Sequence, residues 1–201
     1  MESTQPVDEQ KKTLDVIDAI YTRHAVRHFL DKPVEKDTIK RLLDAANHAP
    51  AALHEESKGF VVIQDKAVLD RLSESAKHLI ISDSKTNKNE GWQHVIQVIK
   101  QNEFNVFYNA PTLIVIYSTI KGPFVSADCW LAAQNLMLAA LPYGLGSCVI
   151  GFAVSALNSA QWKKELGISA KMTAVAPIII GWPSDKTLPV THHEPLILKW
   201  A

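Results

Sequence analysis

The sequence has few cysteines, no excess of either charge and no apolar leader, and each absence excludes a class of protein. Its 201 residues include two cysteines, Cys129 and Cys148, too few for a disulfide framework. Basic and acidic residues number 21 each, so no net charge attracts nucleic acid. The polar opening MESTQPVDEQKK lacks the apolar core of a signal peptide. We therefore expect a cytoplasmic protein without a nucleic-acid partner.

A long segment also lacks charge, because no Asp, Glu, Lys or Arg lies between Asp128 and Lys163. A run of this length raises the question of a membrane span. Polar residues, proline and glycine divide it into a helix, a turn and a short strand. We therefore expect it to be buried in a protein core or a subunit interface, not in a membrane.

The spacing of apolar residues predicts a single α+β domain. Helical periodicity is present at 14–21, 39–46, 67–80, 126–143 and 156–167, and strands are predicted at 59–65, 112–118 and 171–183. The stretch 82–111 is expected to mix a helix with mobile loop, 146–152 to be a strand or turn, and 192–201 to be extended. With no repeat or linker, residues 1–201 form one domain, with 1–12 flexible, in which helices surround a small mixed β-sheet.

The stretch TRHAVRHF at 22–29 contains the first chemical signal. Arg23 and Arg27 are four residues apart, so both can face one ligand if the first helix continues or turns tightly there. Arginine binds phosphate in bidentate geometry and stays charged when partly desolvated. A solvated surface pair is the alternative, but no carboxylate interleaves the arginines, and Val26 and Phe29 are expected to anchor the segment inward. The pattern favours an anion site.

This stretch resembles the opening signature of the nitroreductase family, whose members are FMN-dependent oxidoreductases. The rest of the family pattern follows in order, as LLDAANHAPAA at 42–52, NAPTLIVI at 109–116, AAQNLMLAALPYGLGSCVIGF at 132–152 and IIIGWP at 178–183. The resemblance implies a homodimer with an extended C-terminal tail and with FMN at the subunit interface. It also implies electron donation by NADH or NADPH and ping-pong transfer to a small electron-poor acceptor, such as a nitroaromatic or a quinone.

The resemblance also implies the site residues. It assigns Arg23 to the phosphate, Arg27 to the pyrimidine edge of the flavin, and Gly151 to the main chain beside N5. No side chain is expected to be catalytic, because the flavin supplies the chemistry. The full set of cofactor candidates is Arg23, His24, Ala25, Arg27, Ala51, His54, Glu56, Ile150, Gly151, His192 and His193, and the substrate candidates are Trp92, Phe104 and Phe107.

Several departures from the family pattern leave a second interpretation open. A serine usually stands at Ala25, and a glutamine at Glu56, while His192 and His193 replace a Lys or Arg pair. A flavin-binding protein of the same fold with little or no turnover would fit these departures.

Other classes of site have weaker sequence support. A metal-dependent hydrolase is a third possibility, but the histidines lack the H-x-x-x-H and H-E-x-x-H spacings of metal sites, and we expect no metal. GLG at 144–146 is too short for a dinucleotide fingerprint. NADH or NADPH should therefore visit the site as a substrate. Both cysteines are expected to be buried and inert.

Overall fold

The computed structural model describes residues 13–52, 57–83, 90–101, 103–185 and 193–200, so the predicted flexible residues 1–12 lie outside it. Within these ranges the strands are β1 (Lys58–Ile63), β2 (Thr112–Ser118), β3 (Gly146–Val149) and β4 (Thr173–Gly181). The helices are α1 (Val16–Thr22), α2 (Lys36–Asn47), α3 (Lys66–Asp83), α4 (Glu90–Ile99), α5 (Val125–Ala140), α6 (Val154–Leu157) and α7 (Ala160–Glu165).

The four strands form one sheet in the order β1-β2-β4-β3, and each neighbouring pair is antiparallel. The α+β class is confirmed, but the sheet is antiparallel rather than mixed. β1 and β2 are connected by two helices, α3 and α4, whereas a single crossover helix usually joins parallel neighbours. Parallel pairing among the described residues is limited to an isolated bridge between Ala25 and Ser147.

Both faces of the sheet are covered by helices. Leu113, Val115 and Tyr117 of β2 pack on the face covered by α3 and α6. Ile114 and Ile116 pack on the opposite face, against α2 and α5. Every residue of β2 is buried, which accounts for its continuous apolar sequence and for the accurate prediction of its limits.

The uncharged segment forms most of α5, all of β3 and all of α6. Cys129, Leu136 and Ala140 of α5 are completely buried, as expected, whereas Trp130 and Leu131 on the same helix remain partly exposed. No helix in the described part of the chain is both long and apolar enough to cross a membrane.

The helix predicted over 156–167 is instead two short helices, α6 and α7. The break lies at Asn158, whose amide side chain donates to the Ala174 carbonyl at 2.9 Å and accepts from the Ala174 amide at 2.9 Å. Ser159 then starts α7 by accepting a hydrogen bond from the Trp162 amide. The prediction of a single helix is wrong because side-chain bonds to β4 and a new N-cap stop the first helix.

Two apolar elements are largely exposed in the part of the chain that the structure describes. α1 has the predicted apolar stripe, but of its residues only Ala19 is buried. Residues 193–200 are exposed and contain neither helix nor strand, and the extended tail stays a prediction.

Candidate active site

The basic stretch runs as an extended segment beside β3. The first helix ends before Arg23, which has φ −61° and ψ 125°. Ala25 then pairs with Ser147, and the Ser147 carbonyl accepts a hydrogen bond from Val26 N at 3.0 Å. The first helix therefore does not continue through Arg23 and Arg27, which was one of the two ways considered for them to face one ligand. Alternation along an extended chain still places both on one face.

Two glycines allow this segment to lie close to the sheet. A Cβ atom on Gly146 would come within 2.6 Å of the buried Val26 side chain. A Cβ on Gly181 would come within 2.8 Å of Phe29, which pairs with Pro183 just beyond β4. Val26 is thus the inward anchor that the sequence predicted, and larger residues at either glycine would push the arginine-bearing segment off the sheet.

The segment forms one wall of a cleft of about 230 Å³. Three predicted cofactor residues, Arg27, Ile150 and Gly151, meet there. A Cβ atom added to Gly151 would meet nothing within 4 Å, so a flat ligand can approach the main chain at this point. The described residues that line it are Arg27, Val106, Tyr108, Cys148, Val149, Ile150, Gly151 and Phe152.

The cleft is electropositive. Arg23 is half-buried and Arg27 exposed, and neither forms an ion pair within the described residues. Burial raises the pKa of the Cys148 thiol in the cleft wall, while the charges of Arg27 and Arg23 pull that pKa down. Both guanidinium groups therefore act on one point of the cleft, and their charge is available to an anionic ligand.

Arg23, His24, Ala25 and Ala51 are not among the residues that line the cleft, although the charge of Arg23 acts on Cys148 in the cleft wall. His24 Nδ1 donates a hydrogen bond to the Thr22 carbonyl at 2.8 Å, and the side chain lines a separate cavity of about 410 Å³. Its Nε2 atom is buried without a partner among the described residues. Ala25 pairs with Ser147 of β3 and packs against the hydrophobic core. Ala51 follows α2, which packs on the opposite face of the sheet.

Of the remaining cofactor candidates, His54, Glu56 and His192 lie outside the described residues. His193 is exposed, in a C-terminal segment without helix or strand.

Two of the three aromatic substrate candidates adjoin the cleft. The half-buried Trp92 ring makes an edge contact with Phe152 at 6.1 Å, and Phe104 makes one with Tyr108 at 5.8 Å. Phe107 instead is 1% exposed in the core and lines a different cavity of about 320 Å³. The structure therefore brings Trp92 and Phe104 to the second layer of the cleft and does not bring Phe107 there.

Sequence reasoning missed five lining residues, Val106, Tyr108, Cys148, Val149 and Phe152, of which Tyr108 is the most unusual. Tyr108 and Asn109 both have left-handed backbones, with φ of 53° and 54°. Asparagine next to Ala-Pro was a usable signal, because asparagine tolerates this conformation. Phe152 closes the GSCVIGF stretch already matched to the family pattern and could have been included with it. Val106 and Cys148 carried no comparable signal.

A buried carboxyl group lies on the opposite face, on α5. Asp128 is 4% exposed and accepts hydrogen bonds from Ser57 Oγ at 2.8 Å and from the Ala52 amide at 3.1 Å. Its charge adds to the effect of burial in raising the pKa of the adjacent Cys129 thiol to about 11. Cys129 and Cys148 are both free and buried, as predicted.

The described ranges hold no group of three or more His, Cys, Asp or Glu side chains arranged to bind a metal ion.

Comparisons with known proteins agree with the fold and the motif order. The model described as "Nitroreductase family" matches residues 20–182. A protein of Methanothermobacter thermautotrophicus, provisionally named an NADH dehydrogenase/NAD(P)H nitroreductase, is 27% identical over 188 residues, covering 90% of this chain and 84% of the relative.

Solved structures show the same fold. A nitroreductase with bound FMN from Bacteroides fragilis has a TM-score of 0.77 at 23% identity, covering 93% of this chain and 100% of the other. An iodotyrosine deiodinase bound to FMN and 3-iodo-L-tyrosine has a TM-score of 0.75 at 18% identity, covering 91% and 97%.

Proposed function

The chain belongs to the nitroreductase family, an oxidoreductase family, and we propose that it is an FMN-dependent oxidoreductase. In this proposal NADH or NADPH donates electrons, and an electron-poor small molecule such as a nitroaromatic or a quinone accepts them. The observation that carries the proposal is the cleft in which Arg27, without a carboxylate partner among the described residues, lies beside the open main chain at Gly151. The name of the archaeal relative and the FMN bound to the structural neighbour support the same cofactors.

The residues present fit a phosphorylated flavin. Arg23 and Arg27 supply positive charge without internal carboxylate partners in the described chain, and Gly151 leaves room for a flat ring. When bound, FMN would accept a hydride from the donor and pass reducing equivalents to the acceptor. Arg23 would hold the phosphate, and Arg27 would stabilise the negative charge that reduction places at the pyrimidine edge.

Among the described residues that line the cleft, the neutral groups with an acidic proton are the Tyr108 phenol and the Cys148 thiol. Cys148, the thiol in its wall, has its pKa raised by burial and so remains protonated near neutral pH. Donor and acceptor would occupy the cleft in turn, in a ping-pong sequence, and protons would come from water. Positioning and electrostatics are then the protein's main contributions.

The exposed apolar elements support a homodimer. Val16, Ile17 and Tyr21 of α1 are 62%, 52% and 78% exposed, and Trp200 in the tail is 87% exposed. A contiguous apolar surface of this kind usually marks an interface. Light scattering should therefore give about twice the chain mass of 22.3 kDa, and Ile17→Asp should shift the protein toward the monomer. A wild-type monomer at all concentrations would contradict the dimer.

The function is tested by the absorption spectrum of the purified protein with FMN. The proposal expects a yellow complex that bleaches with NADH or NADPH under anaerobic conditions and recovers its colour with a nitroaromatic or quinone. A yellow complex that never bleaches would instead support the flavin-binding protein favoured by the departures at Glu56, His192 and His193. A colourless protein that fails to take up FMN would contradict both.

A further inference from the structure

The turn between α4 and β2 contains an unusual backbone. Tyr108 and Asn109 are consecutive non-glycine residues with φ of 53° and 54°. Asparagine adopts this left-handed region readily, but a bulky aromatic residue there brings its Cβ too close to the backbone. Such conformations persist only where the surrounding structure enforces them, and they cluster at functional sites.

The turn is held by bonds to α3 and within itself. Asn105 Nδ2 donates to Asp70 Oδ1 at 3.1 Å, and the Val106 amide donates to Ser73 Oγ at 2.9 Å. The Tyr108 amide donates to the Asn105 carbonyl at 2.9 Å. These bonds fix the turn on the N-terminal side of Tyr108 and help to maintain its strained backbone.

The strained conformation places the Tyr108 ring over a charge. Cζ of Arg27 lies 5.9 Å from the ring centroid, within the range of a cation–π contact. The edge contact with Phe104 fixes the ring. Arg27 is exposed and has no carboxylate partner in the described ranges, so its guanidinium is restrained by a side-chain hydrogen bond with Cys148 and by this ring.

We propose that Tyr108 is a positioning residue that holds the Arg27 guanidinium in the cleft and thereby favours reduced FMN over oxidised FMN. The proposal rests on the proposed function and extends it to a residue outside the family motifs. A cation fixed beside developing negative charge stabilises the reduced state more than a cation that moves through solvent. The phenol hydroxyl has no hydrogen-bond partner among the described residues, and the proposal needs only the ring.

The test compares Tyr108→Asn with Tyr108→Phe. Asparagine tolerates the left-handed backbone but removes the ring, whereas phenylalanine keeps the ring and the strain. The readout is the ratio of the affinities for reduced and oxidised FMN, obtained from the midpoint potential of the bound flavin and the dissociation constant of oxidised FMN. Tyr108→Asn should lower this ratio about two- to fivefold, the size of an exposed cation–π contact, and Tyr108→Phe should leave it unchanged.

Two further variants make the result decisive. Tyr108→Gly tolerates the same backbone and should repeat the effect of Tyr108→Asn if the latter folds poorly. In an Arg27→Ala background, Tyr108→Asn should have no additional effect, because the residue that the ring positions is gone.

The outcomes separate this proposal from the proposed function. A wild-type protein that binds FMN, together with ring-free variants of unchanged affinity ratio, overturns the role of Tyr108 alone. An equal loss in Tyr108→Phe and Tyr108→Asn also overturns it, because the hydroxyl rather than the ring would then act. A wild-type protein that binds no FMN overturns the proposed function and this proposal with it.

Discussion

Asp128 on α5 and the arginine pair of the cleft both place charge beside the apolar core, but on opposite faces of the sheet. Asp128 is almost fully buried, and two donors of its own chain, Ser57 Oγ and the Ala52 amide, satisfy its carboxyl group. Arg23 and Arg27 are more accessible and have no acidic partner in the described part of the chain.

The difference separates a structural charge from a functional one. A buried charge is tolerated when the chain itself supplies hydrogen bonds, and it then contributes to one defined conformation. A pair of like charges without internal compensation raises the electrostatic energy of the free protein and is relieved when an anion binds. Substitution of Asp128 should therefore affect stability, and substitution of the arginines should affect ligand binding.

The largest expected effect is on FMN binding by Arg27→Glu. The reversal replaces an attractive cation with an anion in the cleft, so FMN affinity should fall by at least about a hundredfold. The exposed Lys171, away from the cleft, provides a matched reversal as Lys171→Glu. Fluorescence titration should show lost binding in the first variant and near-wild-type binding in the second, with both thermal midpoints close to that of the wild type. Full FMN loading of Arg27→Glu would show that the charge of Arg27 does not serve ligand binding.

Asp128→Ala should give the next largest effect, on folding. It leaves the Ser57 hydroxyl and the Ala52 amide without their buried acceptor, which should lower the free energy of unfolding by about 2 kcal/mol. Urea denaturation measures this loss. Asp37, whose carboxylate is exposed and pairs with Lys40, is the control, and Asp37→Ala should have little effect. Equal stabilities of the two variants would show that the Asp128 network is not structural.

The smallest effect concerns buried groups that the protein keeps neutral. Burial raises the pKa of Cys129 from 9.0 to about 11 and the pKa of Tyr117 from 10.0 to about 12. Above about pH 9 the unfolded chain releases protons that the folded chain retains, so the free energy of unfolding falls as pH rises. The stabilisation is complete below the unfolded pKa and is lost as pH increases through the folded pKa.

Each group contributes a slope of at most about 1.4 kcal/mol per pH unit. Urea titrations between pH 8 and 10.5 should therefore show a flatter decline for Cys129→Ala than for the wild type. Parallel declines would mean that the Cys129 thiol ionises equally easily in the folded and unfolded states.

Much of the fold could be predicted because buried strands and helix faces have recognisable apolar patterns in the sequence. β2 is buried on both faces, and its apolar run gave its limits correctly. The stripe on α1 was equally readable, but periodicity identifies an apolar face without showing what covers it. Strand direction was not readable, because it depends on how the chain returns across the sheet.

The cleft was partly predictable for a related reason. Motif order led to Arg27, Ile150 and Gly151, which the structure brings together. Tyr108 was missed because its importance depends on a backbone angle and on a neighbour distant in sequence. Phe107 is equally aromatic but points into the core, and composition cannot distinguish two adjacent rings that face opposite ways.

The central claim is that the uncompensated arginines hold a phosphorylated flavin. It is tested most directly by measuring the affinities of the wild type and of Arg23→Ala for FMN and for riboflavin, which lacks the phosphate. The account predicts that the wild type binds FMN at least about tenfold more tightly than riboflavin, and that Arg23→Ala loses most of this preference, because a charge-assisted bond to phosphate contributes about 1.5–3 kcal/mol. Equal affinities of the wild type for the two flavins would contradict it.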